Sequence, residues 1–457
     1  MLLANTTNKL SVLLVTLLLV TCATAQENSP FSRYGIGDLS NTKHVTQNAM
    51  GGIDVAGNDP FSVNFNNPAS YNRLFRVTYD IGLTLDNRIL KSENPAGKFK
   101  ATNVVPSYIT LGFPLNKKKH LGMAVGLKPY SRVNYDITRI SRVPGIDSLY
   151  QYFIGTGGLN QAYVGIGKGW GADTAKQRFS VGLNFGYLFG KKQIESRTEF
   201  FSDSSYILYA KSNSQTRTTY GNTFLQAGAQ YDLVVGSSPS KLSPKSKQIT
   251  ILTLGANAQF KQSFSASQDT LRETYNYDIN GGTTPIDTVL FREATKIKVQ
   301  LPATYTIGFA FKRKELNGSI DKWMIGAQYT MAKYTDYRFG SQGDALSDLW
   351  NVSVGGFYVP KPGDPKLLNR TTYRLGFNTG RDYINADGNG LKTVSGTIGF
   401  SFPLRNYSNW LQQFTIINTA FEVGRRGSKD NNLTQSFFKF SVGLSLSDLW
   451  FNARKYN

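Results

Sequence analysis

Apolar and polar residues alternate along most of this chain, from about Val77 to its C-terminal end. Between Phe179 and Tyr187 every second residue is apolar, and serine, glycine and asparagine fill the positions between them. The same period of two recurs between Phe438 and Leu446. Side chains of a β-strand point alternately to opposite faces, so the pattern predicts strands with one apolar and one polar face. Both a soluble β-sandwich and a membrane β-barrel are compatible with it.

The alternating segments number about fourteen. Their centres are Tyr79, Leu111, Val125, Val164, Leu183, Ala229, Ala256, Ile307, Ala327, Val354, Leu375, Ile398, Phe421 and Val442. An even number of strands is typical of bacterial outer-membrane barrels, and counts of twelve or sixteen also fit the pattern.

The connections between these segments alternate between long polar stretches and short turns. The long stretches include Asp136–Gly158, Gln193–Asn222 and Ser265–Lys298, and the short turns include Pro114–His120, Gly171–Gln177 and Lys312–Lys322. Outer-membrane barrels alternate long extracellular loops with short periplasmic turns in this way. We therefore interpret the long stretches as extracellular loops and the chain as a membrane barrel.

The N-terminal end has the features of an export signal. A lysine precedes the apolar run Leu10–Val20, and Ala23–Ala25 then offers small residues for cleavage. This order predicts a signal peptide over residues 1–25 and export to the outer membrane of a Gram-negative bacterium. Cys22 also allows a lipoprotein interpretation, although the residue before it, a threonine, is larger than usual there. Cleavage after Ala25 leaves a mature chain without cysteine and therefore without disulfides.

Length and composition favour a single barrel over several soluble domains. Beyond the signal peptide no apolar run approaches the roughly 18 residues of a membrane helix, which excludes a multi-helix inner-membrane protein. No linker divides the mature chain, and aromatic residues make up 13% of the sequence, with 25 Tyr and 29 Phe. Such aromatics are typical of the girdles at membrane interfaces. We predict an all-β fold, a transmembrane antiparallel β-barrel of about fourteen strands over residues 75–457.

The first fifty mature residues, 26–74, do not alternate. They are rich in glycine, asparagine and proline, yet they also contain Phe31, Val63 and Phe65. This apolar content is too high for a disordered tail. We predict a compact plug, or hatch, folded into the lumen of the barrel.

Short motifs resemble those of a known family. They are Asn67-Pro68-Ala69 before the first strand, Leu301-Pro302-Ala303 at a mid-chain strand, Ser29–Gly37 near the start, and Phe421–Gly427 and Trp450–Tyr456 near the end. With about fourteen strands, the chain resembles the FadL-type outer-membrane transporters of hydrophobic compounds, in their Bacteroidota branch. Each motif is short, so the resemblance bears on architecture more than on cargo.

The resemblance implies a hatch that includes Asn67, Pro68 and Ala69, and a kinked third strand through which a hydrophobic ligand leaves sideways into the bilayer. The third strand here is Leu121–Ser131, and it contains Lys128 and Pro129. Proline lacks the N–H that a β-ladder needs, so Pro129 is a candidate lateral gate. The alternative is that Pro129 lies beyond the membrane and only bends the rim.

Three charged residues, Asp80, Arg374 and Glu422, fall on the polar face of their strands and are therefore predicted to point into the lumen. Buried charges need partners, so we expect ion pairs that hold the hatch. Arg374 is also a candidate site for an anionic head group.

The formal net charge of +21 arises from 51 Lys and Arg against 30 Asp and Glu. Lysines cluster in the predicted periplasmic turns, at Lys117–Lys119, Lys241–Lys247, Lys312–Lys314 and Lys361–Lys366. These clusters could face the anionic head groups of outer-membrane lipids or an acidic periplasmic partner, or they could simply keep the turns solvated. Because the chain is predicted to be exported, we expect no nucleic-acid partner.

Catalytic motifs are lacking. The sequence has two histidines, His44 and His120, and neither belongs to a recognisable catalytic or metal-binding motif. We therefore predict no enzymatic activity, no cofactor and no metal.

Two functions fit these features. The first is a passive channel for hydrophobic or amphipathic small molecules, which needs an apolar pocket between plug and wall. The alternative is a non-conducting subunit of a larger outer-membrane complex for protein secretion or assembly, which needs an exposed surface for a periplasmic or outer-membrane protein.

Overall fold

A computed structural model gives the fold. It describes residues 28–94, 96–142, 148–171, 175–201, 210–239, 247–315, 320–362, 364–386, 388–405 and 414–448. The predicted signal peptide and the motif Trp450–Tyr456 lie outside the described residues.

The N-terminal segment, residues 28–74, contains only short elements. They are a 3₁₀ turn at Pro30–Arg33, strand β1 at Asp38–Leu39, helix α1 at Val45–Asn48 and a 3₁₀ turn at Pro68–Arg73. Later in the chain come a 3₁₀ turn at Tyr334–Asp336 and helix α2 at Leu367–Arg370. Across the described residues, no helix is both long and apolar enough to cross a membrane.

Long strands make up the rest of the described chain. They are β2 (Val77–Ser92), β3 (Gly97–Asn116), β4 (Leu121–Arg142), β5 (Ser148–Trp170), β6 (Gln177–Phe201), β7 (Lys211–Pro239), β8 (Lys247–Gln259), β9 (Gln262–Tyr277), β10 (Thr283–Leu301), β11 (Thr304–Glu315), β12 (Ile320–Ala332), β13 (Arg338–Phe339), β14 (Leu349–Tyr358), β15 (Thr372–Ala386), β16 (Asn389–Arg405), β17 (Phe414–Arg426) and β18 (Leu433–Asp448).

These strands form a closed antiparallel barrel of fourteen strands. The last strand, β18, pairs with the first, β2, with Leu446 opposite Tyr79. Three of the barrel strands are each divided into two consecutive parts, which are β8 and β9, β10 and β11, and β12 and β13. The pairing shows this, because β8 and β9 both pair with β7, β11 pairs with β8, and β13 pairs with β10. Each predicted segment centre lies in a different barrel strand, so the predicted number of fourteen is confirmed.

The outside of the barrel is apolar and the inside is polar. Outward residues such as Leu183, Ile307 and Leu375 are 49%, 60% and 68% exposed, whereas inward residues such as Ser180 and Thr253 are fully buried. A closed barrel with an apolar exterior is the architecture of bacterial outer-membrane proteins. The end with the short turns, where β2 begins, is called the inner end below, and it faces the periplasm by the topology of such barrels.

The three long stretches predicted as extracellular loops are much shorter as loops than the sequence pattern indicates. Most of Asp136–Gly158, Gln193–Asn222 and Ser265–Lys298 is strand, because β4 to β7, β9 and β10 continue far beyond the apolar belt. Outside the membrane both faces of a strand meet water. The two-residue period then disappears from the sequence although the backbone ladder continues.

Candidate functional site in the barrel interior

The N-terminal segment lies inside the ring of strands. The backbone N–H of Val63 donates to Asp80 on β2 at 2.6 Å, and the N–H of Asp54 donates to Gln328 on β12 at 2.8 Å. Gln226 on β7 donates to the carbonyl of Asn66 at 2.7 Å, and the N–H of Gly51 donates to Thr397 on β16 at 2.9 Å. These four strands lie on different sides of the barrel, so the segment is held across its interior.

The predicted hatch motif packs against a row of glycines on the barrel wall. Gly122, Gly167, Gly182 and Gly228 stand directly opposite one another on the neighbouring strands β4 to β7. A Cβ atom at Gly182 would overlap the carbonyl group of Pro68, and one at Gly122 would overlap the carbonyl of Tyr71. The absence of side chains therefore lets the backbone of the 3₁₀ turn lie against the wall. Gly122, Gly167 and Gly182, which fall on the polar face of the alternating pattern, thus leave room for this contact.

The hatch motif itself forms the start of that turn. The side chain of Asn67 accepts a hydrogen bond from the N–H of Ala69 at 3.1 Å and donates to the carbonyl of Val55 at 2.6 Å. Pro68 occupies the first position of the turn, where a missing N–H costs nothing. Asn67 and Ala69 are fully buried. The motif thus links the turn to the rest of the N-terminal segment.

A second glycine-lined wall lies across the barrel. Gly355 and Gly376 stand opposite each other on β14 and β15 and face the backbone of Met50 and Gly51. A Cβ atom at Gly355 would lie 2.6 Å from the carbonyl oxygen of Met50. The backbone of Met50 and Gly51, which follow helix α1, therefore lies as close to this wall as the hatch motif lies to the other.

An ion-pair network ties β1 to the wall, and sequence reasoning missed it. The carboxylate of Asp38 lies 2.9 Å from both Arg88 on β2 and Arg426 on β17. Arg88 also pairs with Asp86 at 2.6 Å, and Arg426 pairs with Asp382 at 2.6 Å. The arginines fall on the polar positions of their strands, but nothing in the sequence around Asp38 indicates that it joins them.

The Asp38 network should make stability depend on acid pH. Burial alone would raise the pKa of the Asp38 carboxyl, but the Arg426 and Arg88 guanidinium groups outweigh burial and lower that pKa from 3.8 to about 2. A lowered pKa stabilises the folded state above about pH 4, and this stabilisation of about 2 kcal/mol is lost as the pH falls toward 2. Thermal unfolding measured at both pH values should show a larger acid loss for the wild type than for Asp38→Asn. Equal losses would contradict this role of Asp38.

The N-terminal segment also covers a free strand edge. Strands β3 and β4 pair only from Ile109 opposite Leu127 to Asn116 opposite Leu121. Beyond Leu127 the edge of β4 pairs with β1 instead. Further hydrogen bonds along this edge join Ser40 to Tyr130, Thr42 to Pro129, Ile36 to Ser131, Ser29 and Ser32 to Asn134, and Asn28 to Asp136. Backbone groups of β4 that have no partner on β3 are thereby satisfied.

The two residues of the candidate lateral gate lie at the point where β3 and β4 part. Pro129 pairs with Asn160 and precedes a β-bulge at Tyr130. The side chain of Lys128 points inward, and its ammonium donates to Asn66 at 2.8 Å. Both residues therefore border the part of β4 that the N-terminal segment covers.

The three charged residues predicted in the lumen have separate partners. Asp80 is fully buried and lies 3.4 Å from Nε2 of His44, in addition to its bond from Val63. Arg374 donates to Ser401 and lies over the ring of Phe357. Glu422 lies 3.4 Å from Lys439, and both side chains are partly exposed. These contacts share no residue.

A cavity of about 390 Å³ lies between the N-terminal segment and the outer half of the wall. Amide, hydroxyl and charged side chains make up most of its lining, and apolar ones such as Leu39, Val105 and Trp350 lie among them. The charged lining residues are Asp38, Lys43, Asp54, Asp86, Arg88, Lys128, Arg132, Arg381, Asp382, Glu422, Arg426 and Lys439. Glu422 thus lines this cavity, whereas Asp80 and Arg374 do not. The cavity suits water and polar groups better than hydrocarbon.

The closed ring of fourteen strands with its apolar exterior defines an outer-membrane β-barrel. The chain belongs to the BamG family, whose model matches residues 7–457.

Solved structures show the same fold at low sequence identity. A Pseudomonas aeruginosa FadL homologue is 13% identical, with a TM-score of 0.53 over 89% of this chain and 98% of that chain. The Pseudomonas putida toluene transporter TodX is 14% identical, with a TM-score of 0.48 over 90% of this chain and 100% of that chain. No curated protein sequence matches the chain. The match to the Pseudomonas aeruginosa FadL homologue shows that the fold is FadL-like, and it does not identify a cargo or a partner.

Proposed function

We propose that this protein is a closed outer-membrane barrel that acts as a non-conducting subunit of a larger complex for protein secretion or assembly. The observation that carries the proposal is the charged lining of the cavity above the N-terminal segment. Binding of a hydrophobic molecule there would remove water from charged and amide groups without replacing their hydrogen bonds, which is costly. Small-molecule sites for apolar ligands are lined mainly by apolar side chains.

In this proposal residues 1–25 are a signal peptide, residues 26–74 a plug and residues 75–457 the barrel, in the outer membrane of a Gram-negative bacterium of the Bacteroidota. The glycine-lined walls and the Asp38 ion pairs support the plug, because they fix the N-terminal segment on several sides. Asn67, Pro68 and Ala69 act as a structural hatch motif, and Asp80 holds the plug through Val63 and His44.

The partner in this proposal is another outer-membrane or periplasmic protein, and the BamG family name is compatible with such a partner. We propose no enzymatic activity, cofactor or nucleic-acid partner. Membrane lipids surround the apolar exterior.

A passive channel for hydrophobic or amphipathic molecules is the second candidate. The separation of β3 from β4 beyond Leu127 favours it, because a gap at this seam would open toward the bilayer. Such a route would require residues 28–42 to leave the edge of β4 near Lys128 and Pro129. Arg374 would then be a candidate partner for an anionic head group.

Depletion of the protein from its cell separates the two functions. If it is a subunit, the amounts of other outer-membrane or secreted proteins should fall while uptake of hydrophobic compounds is unchanged. Quantitative proteomics of outer membranes and uptake of a labelled hydrocarbon measure both effects. Reduced uptake with an unchanged set of membrane proteins would support the channel and overturn the subunit.

A further inference from the structure

A basic patch surrounds two phenylalanines at the inner end of the barrel. It consists of Phe61, Phe75, Arg76 and Lys117–Lys119, and is called the inner basic patch. The rings of Phe61 and Phe75 meet edge to face at 6.3 Å, and Phe75 remains 47% exposed. The Lys117 ammonium lies 4.7 Å from the centre of the Phe75 ring, and the Arg76 guanidinium lies 5.6 Å from it. Cations held over an aromatic ring are positioned rather than freely solvated.

The charge balance differs between the two ends of the barrel. In the described residues of the inner turns, 117–120, 171, 175–176, 359–362 and 364–371, seven residues are Lys or Arg and one, Asp364, is acidic. In the described residues of the outer turns, 93–94, 96, 278–282, 333–348, 388 and 427–432, three are Lys or Arg and six are Asp or Glu. Among these described turn residues, positive charge therefore predominates at the inner end and negative charge at the outer end.

The inner basic patch is better placed for a protein than for lipid. Lipid head groups surround the barrel on its circumference, where Lys168 lies 5.9 Å from the ring of the exposed Trp170. Phe61, Phe75 and Arg76, in contrast, precede β2 and belong to or directly follow the N-terminal segment inside the ring. Phe75 is fixed there by a hydrogen bond from its N–H to the carbonyl of Pro60 at 3.0 Å. Lys117 reaches across to this aromatic pair.

We propose that the inner basic patch binds an acidic surface of a periplasmic partner protein. This inference rests on the proposed function and names the chemistry of its partner. Carboxylates of the partner pair with the exposed lysines, and an apolar side chain of the partner covers Phe75, which gives an apolar centre with a charged rim. Complementary charge of this kind speeds association and makes it sensitive to salt.

Charge reversal at the three lysines tests the proposal. The full chain with Lys117→Glu, Lys118→Glu and Lys119→Glu is purified in mild detergent from outer membranes, and the co-purifying proteins are quantified against the barrel. One acidic partner should fall about tenfold or more, because each reversal replaces attraction by repulsion. Glutamine at the same three positions should give a smaller loss. A matched control reverses Lys91, Lys98 and Lys100, three exposed lysines at the outer end, and should keep all partners.

The outcomes separate this inference from the proposed function. Unchanged partner ratios in the charge-reversed protein would overturn the patch and leave the subunit role intact. Loss of bound anionic phospholipid with all proteins retained would also overturn it, since the patch would then be a lipid site. A wild-type barrel that purifies without any partner would overturn the subunit role and the patch together.

Discussion

Replacement of Gly182 by alanine is expected to destabilise the barrel and to loosen its N-terminal segment. The added methyl group would overlap the carbonyl of Pro68 and lie 2.6 Å from the nitrogen of Ala69. These atoms are backbone and cannot rotate away, so the 3₁₀ turn must move as a unit. Overpacking of this kind costs about 1–3 kcal/mol. Thermal unfolding of the purified barrel measures the loss, and proteolysis in the N-terminal segment measures the release.

Gly396→Ala is the matched control for this experiment. A Cβ atom at Gly396 on β16 meets nothing within 4 Å. Alanine should therefore leave stability unchanged there or raise it slightly, because it restricts the unfolded chain. If Gly182→Ala behaved like Gly396→Ala, the hatch motif would not depend on close contact with the wall.

Replacement of Asp38 by asparagine is expected to cost about 3 kcal/mol, at the lower end of the range for breaking a buried ion pair. Asparagine keeps the shape of the side chain but leaves Arg88 and Arg426 without their shared carboxylate. Each arginine retains one carboxylate, Asp86 or Asp382, and this limits the loss. Unfolding temperature and ion conductance in planar bilayers test the prediction, since weaker anchoring of β1 should produce open events.

Glu422→Gln provides the comparison for Asp38→Asn. The Glu422–Lys439 pair lines the same cavity but is partly exposed, with side chains 24% and 32% accessible. Its loss should cost less than about 1 kcal/mol, because water replaces the partner. Equal effects of both substitutions would show that the Asp38 network has no special role in holding the segment.

The strands could be predicted from the sequence because the membrane enforces alternation. Where the wall is bounded by lipid outside and polar groups inside, as in β6 and β18, the two-residue period marks each strand. Above the membrane a strand has water on both faces, so the sequence pattern predicts a loop where the structure has β9 and β10. The length of β9 and β10 depends on pairing with neighbouring strands, and it does not appear in the sequence as an alternation of apolar and polar residues.

The interior could be predicted only in part. The alternation on β2 assigns Asp80 to the polar face of its strand, and this residue is fully buried. The glycine row could not be recognised, because its meaning depends on the register that aligns Gly182 with Gly167 and Gly228. The Asp38 network was missed for a similar reason, since Asp38 meets Arg426 across 388 positions of the chain.

Because the cavity is polar, we prefer the subunit role to the hydrophobic channel, which the sequence alone favours. Resemblance to hydrophobic-compound transporters favours an apolar pocket, but the cavity in the outer half of the barrel is lined largely by polar and charged side chains. A FadL-like barrel fold is therefore compatible with an interior whose side chains bind the N-terminal segment instead of a hydrophobic cargo. Fold alone does not determine function in such a case.

The composition of the particle purified from native outer membranes in mild detergent tests the central claim most directly. Native mass spectrometry should find this chain, whose full sequence has a mass of 50.6 kDa, in a larger assembly with other proteins in fixed ratio. A single barrel without protein partners, carrying bound fatty acid or another hydrophobic molecule, would contradict the subunit role and favour the channel.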